Sequence, residues 1–353
     1  MNPIVINGTV LCDNITGIPR YVYENVVRLD KLIEGTGLDV RIAYRDDGRP
    51  IHLPELKNIR LVPLKSIPYF YNLAVLPAYL RRTHAFYVGL ASDMLLTHRS
   101  VVVLHDIRPL VMDTDKGFFR FKFWVHCLST KWFAQRVFTV SYDQRQLIHD
   151  KLGIPLDKIG VTYNGWEHMA KVQPDESIFE RMPAVKKGEY FYALGSLAGH
   201  KNFKWIREVA RRNPDKTFVV AGGKDLRAFG DDTEAKDTHN VFYPGYVSDA
   251  ENAALMKHCR LFLHPAVFEG FGIPPLEALA LGAPIALAKA SCLPELYGDT
   301  ARYFDPYDYE VDLDALAARS VAPPDKVLAK YSWDKTAAFW LEEIKKYARD
   351  GKP

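Results

Sequence analysis

Short continuous runs of β-branched and other apolar residues recur at 4–7, 40–44, 85–88, 101–104, 137–140 and 161–163. Unbroken apolar runs of this length suit strands buried on both faces, as in a parallel sheet covered by helices. Amphipathic helical stretches fill much of the space between them. A polar stretch at 171–187 follows, and then the alternation resumes, with strands expected at 190–194, 217–221, 241–243, 261–264, 284–288 and 302–304. Two successive βα series predict two doubly wound α/β domains, 1–168 and 169–334. Open sheets of this kind bind ligands beyond the carboxyl ends of their strands. The expected site is therefore a cleft between two facing domains.

Local signals place the ends of several elements. A stretch containing Gly17 leads from the first strand into a helix expected from about 21 to 32. Ser141 is an N-cap candidate, and so is Ser248 or Asp249 after a tight Pro244-Gly245 turn. Asn164-Gly165 marks a turn on the way out of the first domain. Gly222-Gly223 ends a strand where backbone must approach something closely. Residues 331–347 form a final helix capped by Ser332.

Length and composition narrow the class. At 353 residues the chain has room for two domains, and 48% hydrophobic with 25% charged residues describes a soluble globular protein. Cys12, Cys127, Cys259 and Cys292 are too widely spaced for a zinc site or a disulfide framework and read as reduced thiols. No apolar run is long enough to span a bilayer, and no basic leader precedes the first strand, so a cytoplasmic location is expected. Residues 1–170 carry 21 Lys and Arg against 16 Asp and Glu, whereas 171–353 carry 25 against 27. That excess is too small, and lacks the motifs, for a nucleic-acid partner. It does fit a first half resting on an anionic bilayer. Residues 116–133 interleave five Phe and two Trp with Lys116, Arg120, Lys122 and Lys131, and residues 67–82 are aromatic and end in two arginines. Such a mixture suits either a membrane interface or a core-packed helix with solvated charges.

The candidate chemistry concentrates in 263–282, LHPAVFEGFGIPPLEALALG. Pro274 and Pro275 favour a helix start, since a first turn has no N–H partner to lose. Gly270 and Gly272 leave the backbone bare just before that start, where free amides and the helix dipole favour a phosphate. Glu269 then falls beside the phosphate and Glu277 one turn into the helix. A carboxylate accepts two hydrogen bonds at once, so it suits a vicinal diol. One acid for a sugar and one for a ribose, with a diphosphate between, describes a nucleotide-sugar site.

These residues resemble the signature of the retaining GT-B glycosyltransferases of the GT4 family (group 1), and the resemblance runs through essentially the whole chain, most strongly at 190–300. It implies two Rossmann-like domains facing across a cleft, with a C-terminal helix (335–353) crossing back to an acceptor-binding first domain. The donor would be held by the second domain. On this resemblance, Gly17, Gly195, Ser196 and Lys201 meet the donor phosphates, with Ser196 standing where the family commonly has Arg. His200 beside Lys201 would supply part of the missing charge. Tyr246 and Val247 lie at the base; Gly270, Phe271, Gly272 and Ile273 cradle the diphosphate; Glu269 holds the sugar and Glu277 the ribose. His105, at a strand's carboxyl end, lies near the donor sugar, although a histidine there also fits a purely structural role. Arg20 and Asp106 are assigned to the acceptor. The D-x-D at Asp113–Asp115 binds metal in a different fold and is set aside.

The implied reaction is metal-independent hexosyl transfer with retention, using His105, Glu269 and Lys201. No cofactor beyond the nucleotide sugar is expected, and GDP-mannose is favoured over UDP- or dTDP-sugars. Breaking the anomeric bond leaves charge on the diphosphate, which Lys201 and the amides of Gly270 to Ile273 would stabilise. A saccharide or lipid-linked acceptor in bacterial surface-polysaccharide synthesis completes the expectation. The competing readings are a nucleotide-sugar epimerase or phosphorylase of the same fold and a non-catalytic sugar-binding scaffold. Oligomeric state leaves no mark on the sequence.

Overall fold

Among the described residues, seven strands form the first sheet: β1 (Ile4–Asn7), β2 (Val40–Asp46), β3 (Arg60–Lys65), β4 (Phe86–Gly89), β5 (Ser100–Val103), β6 (Arg136–Thr139) and β7 (Ile159–Val161). Six form the second: β8 (Tyr190–Leu194), β9 (Thr217–Ala221), β10 (Val241–Gly245), β11 (Leu261–His264), β12 (Ile285–Ala288) and β13 (Arg302–Phe304). The orders are β3-β2-β1-β4-β5-β6-β7 and β10-β9-β8-β11-β12-β13. Every pairing is parallel. Each sheet starts mid-sheet and winds outward both ways, the doubly wound arrangement expected. This computed structural model describes residues 1–92, 99–112, 117–196, 198–222 and 239–349. They fall into two units, Met1–Asn164 with Ser332–Pro353, and Gly165–Tyr331.

The differences from the sequence reading have local causes. β3 was not expected, because RLVPLK is largely exposed and carries Pro63. It lies on the sheet edge, where a missing ladder N–H is tolerated. β7 sits two residues earlier than 161–163, and Gly160, which breaks its apolar run, lies under the Phe138 ring. The expected Pro244-Gly245 turn is instead the end of edge strand β10, whose register shifts between Phe242 and Gly245 as at a bulge. The first helix, Ile18–Leu32, starts three residues before 21 because Pro19 suits a first turn.

The final helix, Trp333–Arg349, belongs to the first unit. Trp340 Nε1 donates to the Tyr21 hydroxyl at 2.8 Å, and Tyr347 stacks on Phe86 with ring centroids 4.2 Å apart. Phe339 and Trp340 both pack edge-on to Phe138. Ser332 caps this helix, accepting from the Lys335 amide at 3.4 Å. On the first sheet, helices Leu76–Thr83 and Phe118–Phe133 share one buried cluster through Leu76, Leu80 and Cys127. They therefore form one layer. The outward side of Phe118–Phe133 is apolar, with Phe118, Phe119, Phe121, Trp124 and Trp132 exposed, and Ile67, Phe70 and Leu73 are exposed just before Leu76–Thr83.

Candidate functional site

In the second unit, two loops are pinned to each other before any side chain matters. The loop after β8 runs over Gly195, and Gly222 after β9 presses against it. A Cβ on Gly222 would lie 2.1 Å from the Gly195 carbonyl oxygen, so the expected close approach is backbone against backbone. Gly223, its expected partner, lies outside the described residues, as do Asp113–Asp115. Further along, the Val267 amide donates to the His200 carbonyl at 2.9 Å, joining the β8 loop to the β11 loop. Asn202 turns the chain left-handed and opens the helix Phe203–Arg212. Its side-chain amide donates to the Pro306 carbonyl at 3.0 Å. These ties place Lys201 over the β11 loop.

There Lys201 Nζ lies 2.6 Å from Glu269 Oε1. His264, the last residue of β11, donates from Nε2 to the same oxygen at 2.8 Å. Burial alone would raise the Glu269 carboxyl. The Lys201 charge and the His264 hydrogen bond outweigh it and hold the carboxyl well below its usual range. Burial also lowers the His264 imidazole, so Lys201 supplies the charge and His264 a neutral donor. The Glu269 backbone is fixed as well: its carbonyl accepts from Ser291 Oγ at 2.9 Å and from the Cys292 thiol at 3.3 Å.

The helix Ile273–Ala280 begins one residue before Pro274. Gly272 makes the turn into it at φ +84°, and its carbonyl accepts from the Tyr297 hydroxyl at 2.5 Å. A side chain here would press on Leu293 as well as strain the backbone. Glu277 stands one turn in, and His168 Nε2 donates to its Oε1 at 2.8 Å. Phe271 turns its ring inward, edge-on to Tyr331 at 5.2 Å, so the main chain is what this residue offers a ligand. Gly270 precedes it, and Ile273 opens the helix after Gly272. Tyr246 is exposed and Val247 buried, just before Ser248, which caps the helix Asp249–His258 in a reciprocal box with Glu251. Ser196 is exposed.

The first unit carries the other expected residues. His105, beyond β5, is buried, and its Nε2–H donates to the Leu90 carbonyl at 2.8 Å. Tyr21 packs edge-on against its ring at 4.8 Å. Burial pulls its imidazole down to about 4. A neutral ring with Nε2–H committed keeps Nδ1 as an acceptor, suited to a hydroxyl. Asp106 accepts from the Arg108 amide at 2.9 Å, which shapes its own loop. Arg20 lies 3.8 Å from Glu24, and Gly17 is exposed at the start of its helix. The structure thus brings Lys201, Gly195, Glu269 and the start of the Ile273 helix together. Two histidines at this site, His264 and His168, were missed. His264 had a signal, its place at a strand's carboxyl end; His168 had none, because its partner is 109 residues away.

Solved structures share this architecture. HepE of Anabaena, in complex with UDP and glucose, superposes with a TM-score of 0.69 at 16% identity, covering 98% of this chain and 100% of that one. Two doubly wound parallel sheets in this arrangement are the GT-B fold of glycosyltransferases. Residues 174–317 match the family model described as glycosyl transferases group 1. O-antigen chain mannosyltransferase RfbU of Salmonella typhimurium is 26% identical, over 82% of each chain. O-antigen chain mannosyltransferase B of Escherichia coli is also 26% identical, over 86% of each.

Proposed function

We propose that this chain is a retaining, metal-independent hexosyltransferase of bacterial surface-polysaccharide synthesis. GDP-mannose is the favoured donor, ahead of UDP- or dTDP-sugars, and the acceptor is a lipid-linked or growing saccharide. The observation that carries this reading is the pairing of Lys201 with Glu269 directly before the Ile273 helix, with Glu277 one turn beyond. A lysine and the backbone amides at a helix start suit the charge that develops on a departing diphosphate. In the donor complex Lys201 meets that diphosphate, and the Glu269 carboxylate accepts from sugar hydroxyls. Glu277 does the same for the ribose. His105 has too low a proton affinity for a general base at neutral pH and acts by accepting a hydroxyl at Nδ1. The two O-antigen relatives, both named mannosyltransferases, support the choice of sugar.

A lipid-linked acceptor fits the outer layer of the first unit, which rests on the inner face of the plasma membrane. No acidic residue occurs in 56–92 or in 116–142, the two stretches that bear its exposed aromatics, while each holds five Lys and Arg. Apolar side chains among cations and no anions match an anionic bilayer. An open groove lined by Leu110, Arg120, Phe121, Trp124 and Lys151 lies on this layer. No helix among the described residues is long and apolar enough to cross a membrane.

Thermal melts against GDP, UDP, dTDP, ADP and the matching sugar nucleotides test the donor site. A ligand present at a hundred times its dissociation constant adds about 2.7 kcal/mol if it binds only the folded state. One base should stabilise, and Glu277→Ala should abolish the shift. The product formed in EDTA should keep the donor's anomeric configuration by proton NMR. No shift with any nucleotide would return the scaffold reading, and an inverted product or EDTA inactivation would overturn the mechanism.

A further inference from the structure

Each carboxylate of the E-x7-E pair meets a buried histidine from another part of the chain. His264 reaches Glu269 from the end of β11, and His168 reaches Glu277 from the segment that follows β7. Both histidines are at most 8% exposed, and both contacts measure 2.8 Å. Each pair sets one imidazole Nε2–H on Oε1 of its carboxylate, and at Glu269 the same oxygen also meets Lys201 Nζ at 2.6 Å. A glutamate has three rotatable bonds, and a fixed donor on one oxygen selects one orientation of the whole group. The choice of histidine has a chemical reason. A lysine ammonium swings on a flexible stem, whereas a buried imidazole holds its N–H in one direction and leaves the carboxylate's other oxygen to accept from hydroxyls.

We propose that His264 and His168 are the positioning residues of the donor site, His264 aligning Glu269 for the sugar and His168 aligning Glu277 for the ribose. The assignment rests on the donor reading above and adds a division of labour to it. Neither histidine touches the reacting atoms. Their loss should therefore appear as misplacement of one carboxylate and not as loss of a proton donor.

Calorimetric titration separates the two roles, using GDP and GDP-mannose, or UDP and UDP-glucose if only uridine nucleotides stabilise the parent protein. His168→Leu should weaken the nucleoside diphosphate and the sugar nucleotide alike, each by about tenfold, the size of one lost hydrogen bond. His264→Leu should leave the nucleoside diphosphate within about twofold of the parent, while the sugar nucleotide loses its advantage and kcat falls. His168→Gln and His264→Gln return an N–H near the Nε2 position and should restore most of each loss. Both leucine variants weakening both ligands equally, or glutamine variants no better than leucine ones at matched melting temperature, would reduce the histidines to core packing. A parent that binds none of these probes would instead remove the donor site itself, and the histidine assignment with it.

Discussion

Buried ionisable side chains in this protein go in opposite directions, and their neighbours decide which. Glu269 stays ionised because Lys201 lies 2.6 Å away, whereas His105 and His126 are pushed down to about 4 by burial. For these two histidines the unfolded chain takes up protons near pH 6.5, well before the folded one does. Stability is then complete above pH 6.5 and falls as the pH drops toward 4, by roughly 3 kcal/mol for each. Melts between pH 7 and 4 should show this decline, and His126→Leu should make it shallower; an unchanged slope would mean that His126 does not titrate with unfolding. At this scale the sequence was informative where chemistry demands a residue type at a short spacing. Glu269, Glu277 and Lys201 stood out for that reason. The His168–Glu277 pair did not, because a contact across 109 residues leaves no periodicity to read.

Among the elements, the helix Phe118–Phe133 departs most from ordinary surface design. Phe118 is 80% exposed and Trp132 64%, on a helix whose inner side still packs Cys127 into the first sheet's cluster. Core packing and an apolar exterior coexist, so the two readings of its sequence are not exclusive. Each Lys or Arg held near an anionic surface contributes about 1 kcal/mol. Phe121→Glu with Trp124→Glu should reduce co-sedimentation with phosphatidylglycerol vesicles by more than tenfold and leave nucleotide-induced stabilisation intact. Equal binding by the variant, or equal binding to purely zwitterionic vesicles, would end the membrane assignment. The strands show why the fold was so readable. Central parallel strands are buried on both faces and write continuous apolar runs, so β8, β9, β11 and β12 are plain in the sequence, and the edge strands β10 and β13 keep short aromatic runs. β3 escapes because RLVPLK is largely exposed and broken by Pro63, and Pro-Gly at the end of β10 signals a turn anywhere but at a sheet edge.

At the scale of the whole chain, the first unit is assembled from two segments far apart in sequence. Trp340 is fully buried and holds the Tyr21 hydroxyl, itself beside His105. Trp340→Ala should cost about 3–5 kcal/mol. Hydrogen exchange should quicken within 1–164 and 332–349 and stay unchanged within 165–331; a uniform rise would mean that the helix stabilises both units. The same arrangement sets an order of events during translation. A ribosome adding about 5–20 residues per second needs roughly 10–40 s to pass from the end of the first segment to the end of the second. For that interval the nascent first sheet waits with Tyr21, Phe86 and Phe138 uncovered, while Gly165–Tyr331 is made in full before the final helix follows. The unit made first is therefore the one finished last.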